Sequence, residues 1–254
     1  MSHLMYSSGK DNVMTFEQLR QVPTPPSRGR FHQPYSFGEY AGEVAQQLAR
    51  HNLHIVEQEY AVRKDGQQMF GVMEIAPVEG ELITADDWKI LIGLKGAHDQ
   101  SITRGICIGT SVLVCSNLCF SGNLGNLFTK QTTNIGMRLP GMIRETVARI
   151  PDAAHHMEAR FDGYKNFSLK QRWGDAAIVE LYRRGALSSA QMGKAVNEWD
   201  TPSHAEHAAL GFSAWRLFNA CTEALKPGGE SVNMNLIADR SARVTTFLDD
   251  MIGL

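Results

Sequence analysis

The chain has 254 residues and a net charge of −2, and it is 43% hydrophobic and 20% charged, which is the composition of an ordinary globular protein. No apolar run approaches the roughly 18–20 residues of a membrane helix, which excludes a membrane-spanning protein. The N-terminus lacks the basic and then apolar layout of a signal peptide, so we expect a cytoplasmic protein.

The charge is unevenly distributed along the chain. Residues 88–150 contain seven basic and two acidic residues, a net charge of +5 (7 − 2). Residues 61–87 carry −4 (2 − 6), and residues 185–254 carry −3 (5 − 8). This polarity indicates either an anionic partner or neutralisation of one segment by another in the fold, and both explanations stay open.

Residues 1–35 are predicted to form a proline-rich arm. Residues 21–34 contain four prolines, with Arg28 and Arg30 between them. Because proline fixes φ and removes a hydrogen-bond donor, this segment should be extended and irregular. It would lie on the domain or reach a neighbouring subunit. Residues 36–254 are expected to form a single α+β domain, with a helix and a sheet over 36–133 and helices over 134–254.

The first predicted helix covers about residues 36–51. Its apolar residues recur with helical spacing. Ser36 and Glu39 form an S-x-x-E capping box at its start, and Asn52 is a left-handed residue that ends it. Four β-rich runs follow within residues 53–116, and Asp65-Gly66 predicts a tight hairpin turn. Since no helix separates these runs, the sheet should be mainly antiparallel.

The remaining residues are predicted to be helical. Pro140 should sit in a first turn, Pro151 should kink a long helix, and a capping box at Ser203 should open another helix. We expect the following tryptophans to be largely buried: Trp173, Trp199 and Trp215. An apolar heptad seam consists of Ile143, Val147, Ile150, Ala154, Met157, Phe161 and Tyr164.

The segment GLKGAHDQSITRG places His98, Asp99 and Ser101 between Lys95 and Arg104. These are the residue types of a catalytic triad, but neighbours on an extended strand point to opposite faces and no Gly-x-Ser-x-Gly elbow is present. A strand–turn–strand corner is favoured, with Asp99 and Ser101 structuring the loop and Asp99 accepting backbone amide bonds. A phosphate- or ligand-binding loop and catalysis are the alternatives.

Further candidates come from the basic segment and the cysteines. The turn formers of residues 117–126 predict a loop that joins the sheet to the helices, with phosphate binding as the alternative. Zinc bound by three cysteines and His98 fits no common spacing, so no metal or cofactor is expected. Those cysteines are Cys107, Cys115 and Cys119. The candidate nucleic-acid-binding residues are Lys95, His98, Arg104, Lys130 and Arg138.

Several motifs resemble a known family. MFGVMEI, GLKGAHDQS, VLVCSNLCFSG, EWDTPSH and WRLFNACTEALK occur in this order in the domain-of-unknown-function family number 932 of bacteriophages, plasmids and integrative elements. The similarity runs from about residue 15 to the end. That family usually reads Arg-Asn-Ser-His-Asp-Lys-Ser where this chain has residues 95–101, of which only His98, Asp99 and Ser101 are kept. The resemblance implies a mobile-element origin in a bacterial host cell and a recurring His-Asp loop.

The sequence is compatible with three functions. The first is an accessory protein of phage or mobile-element DNA metabolism that forms a homo-oligomer and binds nucleic acid, single-stranded DNA above all, in the manner of annealing proteins. Lys95 and Arg104 would each contact a phosphate. The second is a self-assembling structural or inhibitory protein with a protein partner, built on the heptad seam. The third is a metal-assisted hydrolase or nuclease using His98, Asp99 and Glu74, but few carboxylates converge there, so a non-enzyme is favoured.

Overall fold

The protein has an antiparallel sheet in its N-terminal half and helices in its C-terminal half, which confirms the predicted α+β class. None of the described helices combines the length and the apolarity needed to cross a membrane. The prediction for Cys115 and the part of the predicted loop at 121–126 lie outside the described residues, and residues 117–120 form a strand instead of a loop. A computed structural model describes residues 12–78, 88–112, 117–120, 127–130, 132–226 and 234–254.

The sheet is a meander in which the first six strands lie side by side in sequence order. All of its pairings are antiparallel, and β6 and β7 share one edge of β5, along its C-terminal and N-terminal ends respectively. The seven described strands are β1 (Asn12–Met14), β2 (Leu53–Arg63), β3 (Gln68–Pro77), β4 (Trp88–Ala97), β5 (Arg104–Val112), β6 (Asn117–Phe120) and β7 (Leu127–Thr129).

Local sequence signals account for the hairpin between β2 and β3. Lys64, Asp65 and Gly66 have φ values of 49°, 52° and 87°, so the chain reverses through three left-handed residues. The predicted turn at Asp65-Gly66 is therefore confirmed. Asp and Gly tolerate this backbone region better than other residues, so the turn could be predicted from the sequence.

The first long helix was also predicted correctly, because its end signals are local. The Ser36 hydroxyl accepts a hydrogen bond from the backbone N–H of Glu39 (3.3 Å), and Asn52 is left-handed with φ 56°. The described helices are α1 (Phe16–Arg20), α2 (Phe37–Arg50), α3 (Ile135–Ala148), α4 (Ile150–Asn166), α5 (Gln171–Arg183), α6 (Ser189–Asp200), α7 (Ala205–Ala209), α8 (Ala214–Ala224) and α9 (Met234–Ile252).

Part of the predicted arm belongs to the folded domain. β1 pairs with β2, and Leu19 of α1 is buried in the core. Thus residues 12–20 belong to the packed structure, and only the proline-rich stretch after them is irregular, apart from a turn at 29–31. The prolines explain the irregular stretch but carry no information about the residues before it.

The heptad seam is interrupted and lies inside the protein. Helices α3 and α4 meet at Arg149, and Pro151 lies in the first turn of α4, where a missing N–H costs nothing. Pro140 lies inside α3 instead of in its first turn, which corrects the prediction. All seven seam residues, from Ile143 to Tyr164, are buried in the core, so the seam leaves no apolar stripe for a second copy.

Two predictions about the C-terminal half were wrong. Ser203 does not cap the helix that follows it, because its backbone N–H and its hydroxyl both donate to the carboxylate of Glu198, and α7 begins at Ala205 with His204 as its N-cap. Trp173 is 52% exposed, since α5 turns Gly174 and the apolar residues after it toward the core instead. Trp199 and Trp215 are buried, as predicted.

One contiguous cluster of buried residues joins the sheet to the helices. Phe161 of α4 lies at the junction, with its ring 5.4 Å from Trp88 of β4 and 5.1 Å from Trp215 of α8. Helix α8 is buried over nearly its whole length and contacts α4, α6 and α9. The sheet and the helices are thereby fixed to each other.

Candidate functional site

The turn between β4 and β5 is held by its own side chains. Asp99 accepts hydrogen bonds from the backbone N–H (3.0 Å) and the hydroxyl of Ser101, and Gln68 Nε2 donates to the Ser101 hydroxyl (2.6 Å). Burial raises the pKa of Asp99, but the Ser101 hydrogen bonds and the charges of Lys64 and Arg28 outweigh it and lower the pKa. Among the described residues, the hydrogen bonds of Ser101 join it to Asp99 and Gln68 and not to a histidine, so the arrangement is that of a structured corner and not of a triad.

His98 and Arg104, two of the five binding candidates, are fully buried. The ring of His98 stacks on Phe37 of α2 with centroids 3.9 Å apart. Neither side chain can therefore reach a phosphate backbone, and the predicted contact of Arg104 with phosphate is wrong. The sequence placed both residues beside exposed turn residues, but packing of α2 against the sheet covers them.

Arg104 lies in an aromatic cage instead. Its guanidinium carbon is 4.5 Å from the ring centroid of Tyr40, 5.5 Å from that of Tyr35 and 5.8 Å from that of Phe37. Its Nη2 donates to the backbone carbonyl of Tyr35 (2.7 Å), and burial lowers its pKa to about 10. At neutral pH the group stays charged, and it ties the segment before α2 to the sheet.

The segment before Tyr35 forms a compact loop at residues 27–32. The Ser27 hydroxyl donates to the carbonyls of Gly29 (2.9 Å) and His32, and the backbone N–H of Arg28 donates to His32 Nδ1 (3.1 Å). Gly29 has φ 90°, a conformation that favours glycine. The loop is thereby pre-organised, and it exposes residues 28–31 to solvent while His32 stays buried.

This loop, the β4–β5 turn and the residues after β7 enclose a cavity of about 510 Å³, here called the basic cavity. Three cations line it, namely Arg28, Arg30 and Lys130, and none of its described lining residues is acidic. The ring of Phe31 is 74% exposed at the same place. The lining residues are Arg28, Gly29, Arg30, Phe31, His32, Ala97, Gln100, Ile102, Thr103, Lys130 and Thr132.

Of the predicted candidates, Lys130 alone lines the basic cavity. Arg138 is exposed in the first turn of α3, and Lys95 is half-buried on β4. Sequence reasoning missed the contribution of the loop at 28–32. Its signal was present in Arg28-Gly29-Arg30-Phe31-His32, a basic stretch interleaved with an aromatic residue, but the prolines around it pointed to an arm.

The alternative metal sites gain no support within the described residues. No group of three or more His, Cys, Asp or Glu side chains there is close enough to hold a metal ion. Glu74 forms an ion pair with Lys89 (2.7 Å), and it lies in the middle of β3, far along the ladder from the turn after Ala97. The side chains of Cys115 and Cys119 lie outside the described part of the chain.

No protein-family model, curated protein or solved structure matches this chain. The resemblance to the family number 932 therefore stays a prediction that rests on the motifs alone. The functional conclusion depends on the geometry of the basic cavity.

Proposed function

We propose that this protein binds single-stranded nucleic acid at the basic cavity, as an accessory protein of phage or mobile-element DNA metabolism. The observation that supports the binding role is the grouping of Arg28, Arg30 and Lys130 with the exposed ring of Phe31 around one concavity whose described lining carries no carboxylate. The mobile-element setting rests on the family resemblance only.

The charges favour a phosphate ligand. Arginine presents a planar set of donors that matches the oxygens of a phosphate, and lysine acts on the same group as a point charge. Arg28, Arg30 and Lys130 are all exposed, so they can exchange solvent for a ligand, unlike Arg104. Three cations at one cavity explain how a chain of net charge −2 can attract a polyanion locally.

The aromatic ring favours single strands over a duplex. Bases stack on exposed aromatic rings only when they are free of their own helix, and such stacking is worth about 1–3 kcal/mol per base. Phe31 presents its ring to solvent beside Arg30, whose guanidinium carbon is 5.5 Å from the ring centroid. A base on Phe31 and its phosphate at the neighbouring arginines would use both groups.

The proposal is tested by fluorescence anisotropy of labelled oligo(dT) over a series of salt concentrations. We expect the affinity of the wild-type protein to fall as salt rises, and the Arg28→Gln, Lys130→Gln double variant to lower the log–log slope by about 1.4, since each lost phosphate contact to a single strand contributes roughly 0.7. The matched control is the Arg50→Gln, Lys194→Gln double variant, which removes the same two charges from exposed sites outside the cavity.

A further variant separates the contribution of base stacking from that of charge. Phe31→Ala should weaken binding at every salt concentration by roughly 5- to 100-fold while leaving the slope unchanged, because it removes stacking and no charge. Wild-type protein that shows no salt-dependent binding to DNA or RNA contradicts the proposal, and so does an equal effect of the control variant.

A further inference from the structure

His32 is the buried group of the basic cavity, with 4% of its surface exposed. Its Nδ1 accepts a hydrogen bond from the backbone N–H of Arg28, so in the neutral ring the proton lies on Nε2. That Nε2 is covered in this structure and has no hydrogen-bond partner in the part of the chain that the structure describes, so a ligand in the cavity reaches it only after a small shift of the residues around it. A buried donor left without an acceptor is destabilising, and a ligand that supplies the acceptor removes this cost.

The lining residues carry more positive charge than is needed to balance one internal phosphate of a strand. Arg28, Arg30 and Lys130 contribute three positive charges at one cavity. An internal phosphodiester carries a single negative charge, whereas a terminal phosphate carries about −1.5 to −2 at neutral pH and has three free oxygens. Three cations and a buried donor therefore match a terminal phosphate better than an internal one.

The size of the cavity agrees with a single terminal group. Its volume of about 510 Å³ lies within the range of roughly 300–1,000 Å³ that is usual for small-molecule sites. Small-molecule ligands are close in size to one nucleotide. A run of several nucleotides would therefore have to continue across the protein surface outside the basic cavity. Phe31, whose ring is exposed, is one of the lining residues and is available to such a continuation.

We infer that the basic cavity recognises a terminal phosphate, the phosphomonoester at the end of a nucleic-acid strand, with His32 Nε2 donating to it and Arg28, Arg30 and Lys130 balancing its charge. This inference rests on the proposed function and narrows it from strands in general to strand ends. A strand that ends in a hydroxyl would occupy only the outer part of the site.

The test compares internally labelled oligo(dT) strands of one length that carry a 5′-phosphate, a 3′-phosphate or hydroxyls at both ends, at constant ionic strength. We expect wild-type protein to bind at least one phosphorylated strand about tenfold more tightly than the hydroxyl strand, the factor that one charge-assisted hydrogen bond supplies. The two phosphorylated strands show which end the cavity takes.

His32→Asn keeps an oxygen near the position of Nδ1 for the Arg28 amide but removes the Nε2 donor, so the preference for the phosphorylated strand should fall toward one. Lys130→Gln, at an exposed residue, should reduce the preference as well, which keeps the test valid if His32→Asn unfolds. Arg50→Gln should retain the wild-type preference.

The outcomes separate the inference from the proposed function. Equal affinity of wild-type protein for all three strands overturns the inference and leaves nucleic-acid binding intact. A preference that survives both His32→Asn and Lys130→Gln overturns the assignment of the phosphate to this cavity. Binding to none of the strands at low salt overturns the proposed function and the inference with it.

Discussion

The guanidinium of Arg104 is fully buried, and no ion pair to a carboxylate is present for it among the described residues. Three aromatic rings and the carbonyl of Tyr35 surround it, and its Nε and Nη1 have no hydrogen-bond partner among the described residues. Gly96 lies alongside, where a Cβ would be 3.7 Å from Arg104 Cγ, so the strand leaves room for the long side chain. The role of Arg104 is to position the loop that carries the cations of the basic cavity.

Arg104→Ala should lower the free energy of unfolding by at least about 2 kcal/mol, because it removes the cation–π contacts and leaves a void under α2. Lys95→Ala, on the same hairpin but half-exposed, should lower it by less than about 1 kcal/mol. Urea unfolding followed by circular dichroism measures both. Equal losses in the two variants would contradict the burial argument.

His207 makes stability depend on pH. Its side chain is 3% exposed, and burial, followed by the neighbouring charge of His204, lowers its pKa to about 4. Between pH about 4 and 6.5 the unfolded chain binds a proton that the folded chain does not, so the free energy of unfolding should fall as pH falls, by up to about 1.4 kcal/mol per pH unit.

The His207→Gln variant should lose this part of the pH dependence, and the matched change His155→Gln, at an exposed histidine, should keep it. Chemical unfolding at several pH values between 4 and 7 gives the slopes. A wild-type slope that His207→Gln leaves intact would show that groups other than His207 set the acid sensitivity.

At the scale of the elements, α5, α6 and α8 are joined through Trp199. The indole Nε1 donates to the carbonyl of Gln171 (3.2 Å), and Arg216 Nε donates to the carbonyl of Trp199 (2.8 Å). Gly174 of α5 faces the same ring, and a Cβ built there would lie 2.1 Å from Trp199 Cζ2. The close approach of α5 to α6 therefore requires glycine at this position.

Gly174→Ala should destabilise the protein by about 1–3 kcal/mol or more, since neither the indole nor the helix backbone has room to move. Gly193→Ala should instead stabilise it by about 0.5–1 kcal/mol, because Gly193 lies exposed inside α6 with no atom within 4 Å of an added Cβ. Thermal unfolding of both variants gives opposite shifts of Tm if the contact is as described.

At the scale of the whole molecule, part of the charge asymmetry is neutralised internally. The ion pair of Lys89 with Glu74 joins the basic segment 88–150 to the acidic segment 61–87. Lys130 and Arg138 remain exposed. The homo-oligomer stays a prediction, and since the heptad seam lies in the core of one chain, its remaining basis is the irregular proline-rich stretch and the analogy to annealing proteins.

The sequence by itself determined the elements whose signals are local. The ends of α2 and the β2–β3 turn depend on contacts between residues two to four apart, so Ser36, Asn52 and Asp65 could be interpreted without the fold. The α+β class followed from the order of the strands and helices.

Only the tertiary structure decided which cations face solvent. Arg104 and Arg28 look equivalent in the sequence, but α2 covers the first and the 27–32 loop exposes the second. The basic cavity combines residues 28–32, residues of the 97–103 turn, and Lys130 and Thr132, which lie far apart along the chain. Their meeting depends on the packing of the sheet against its helices, a long-range interaction that no short motif encodes.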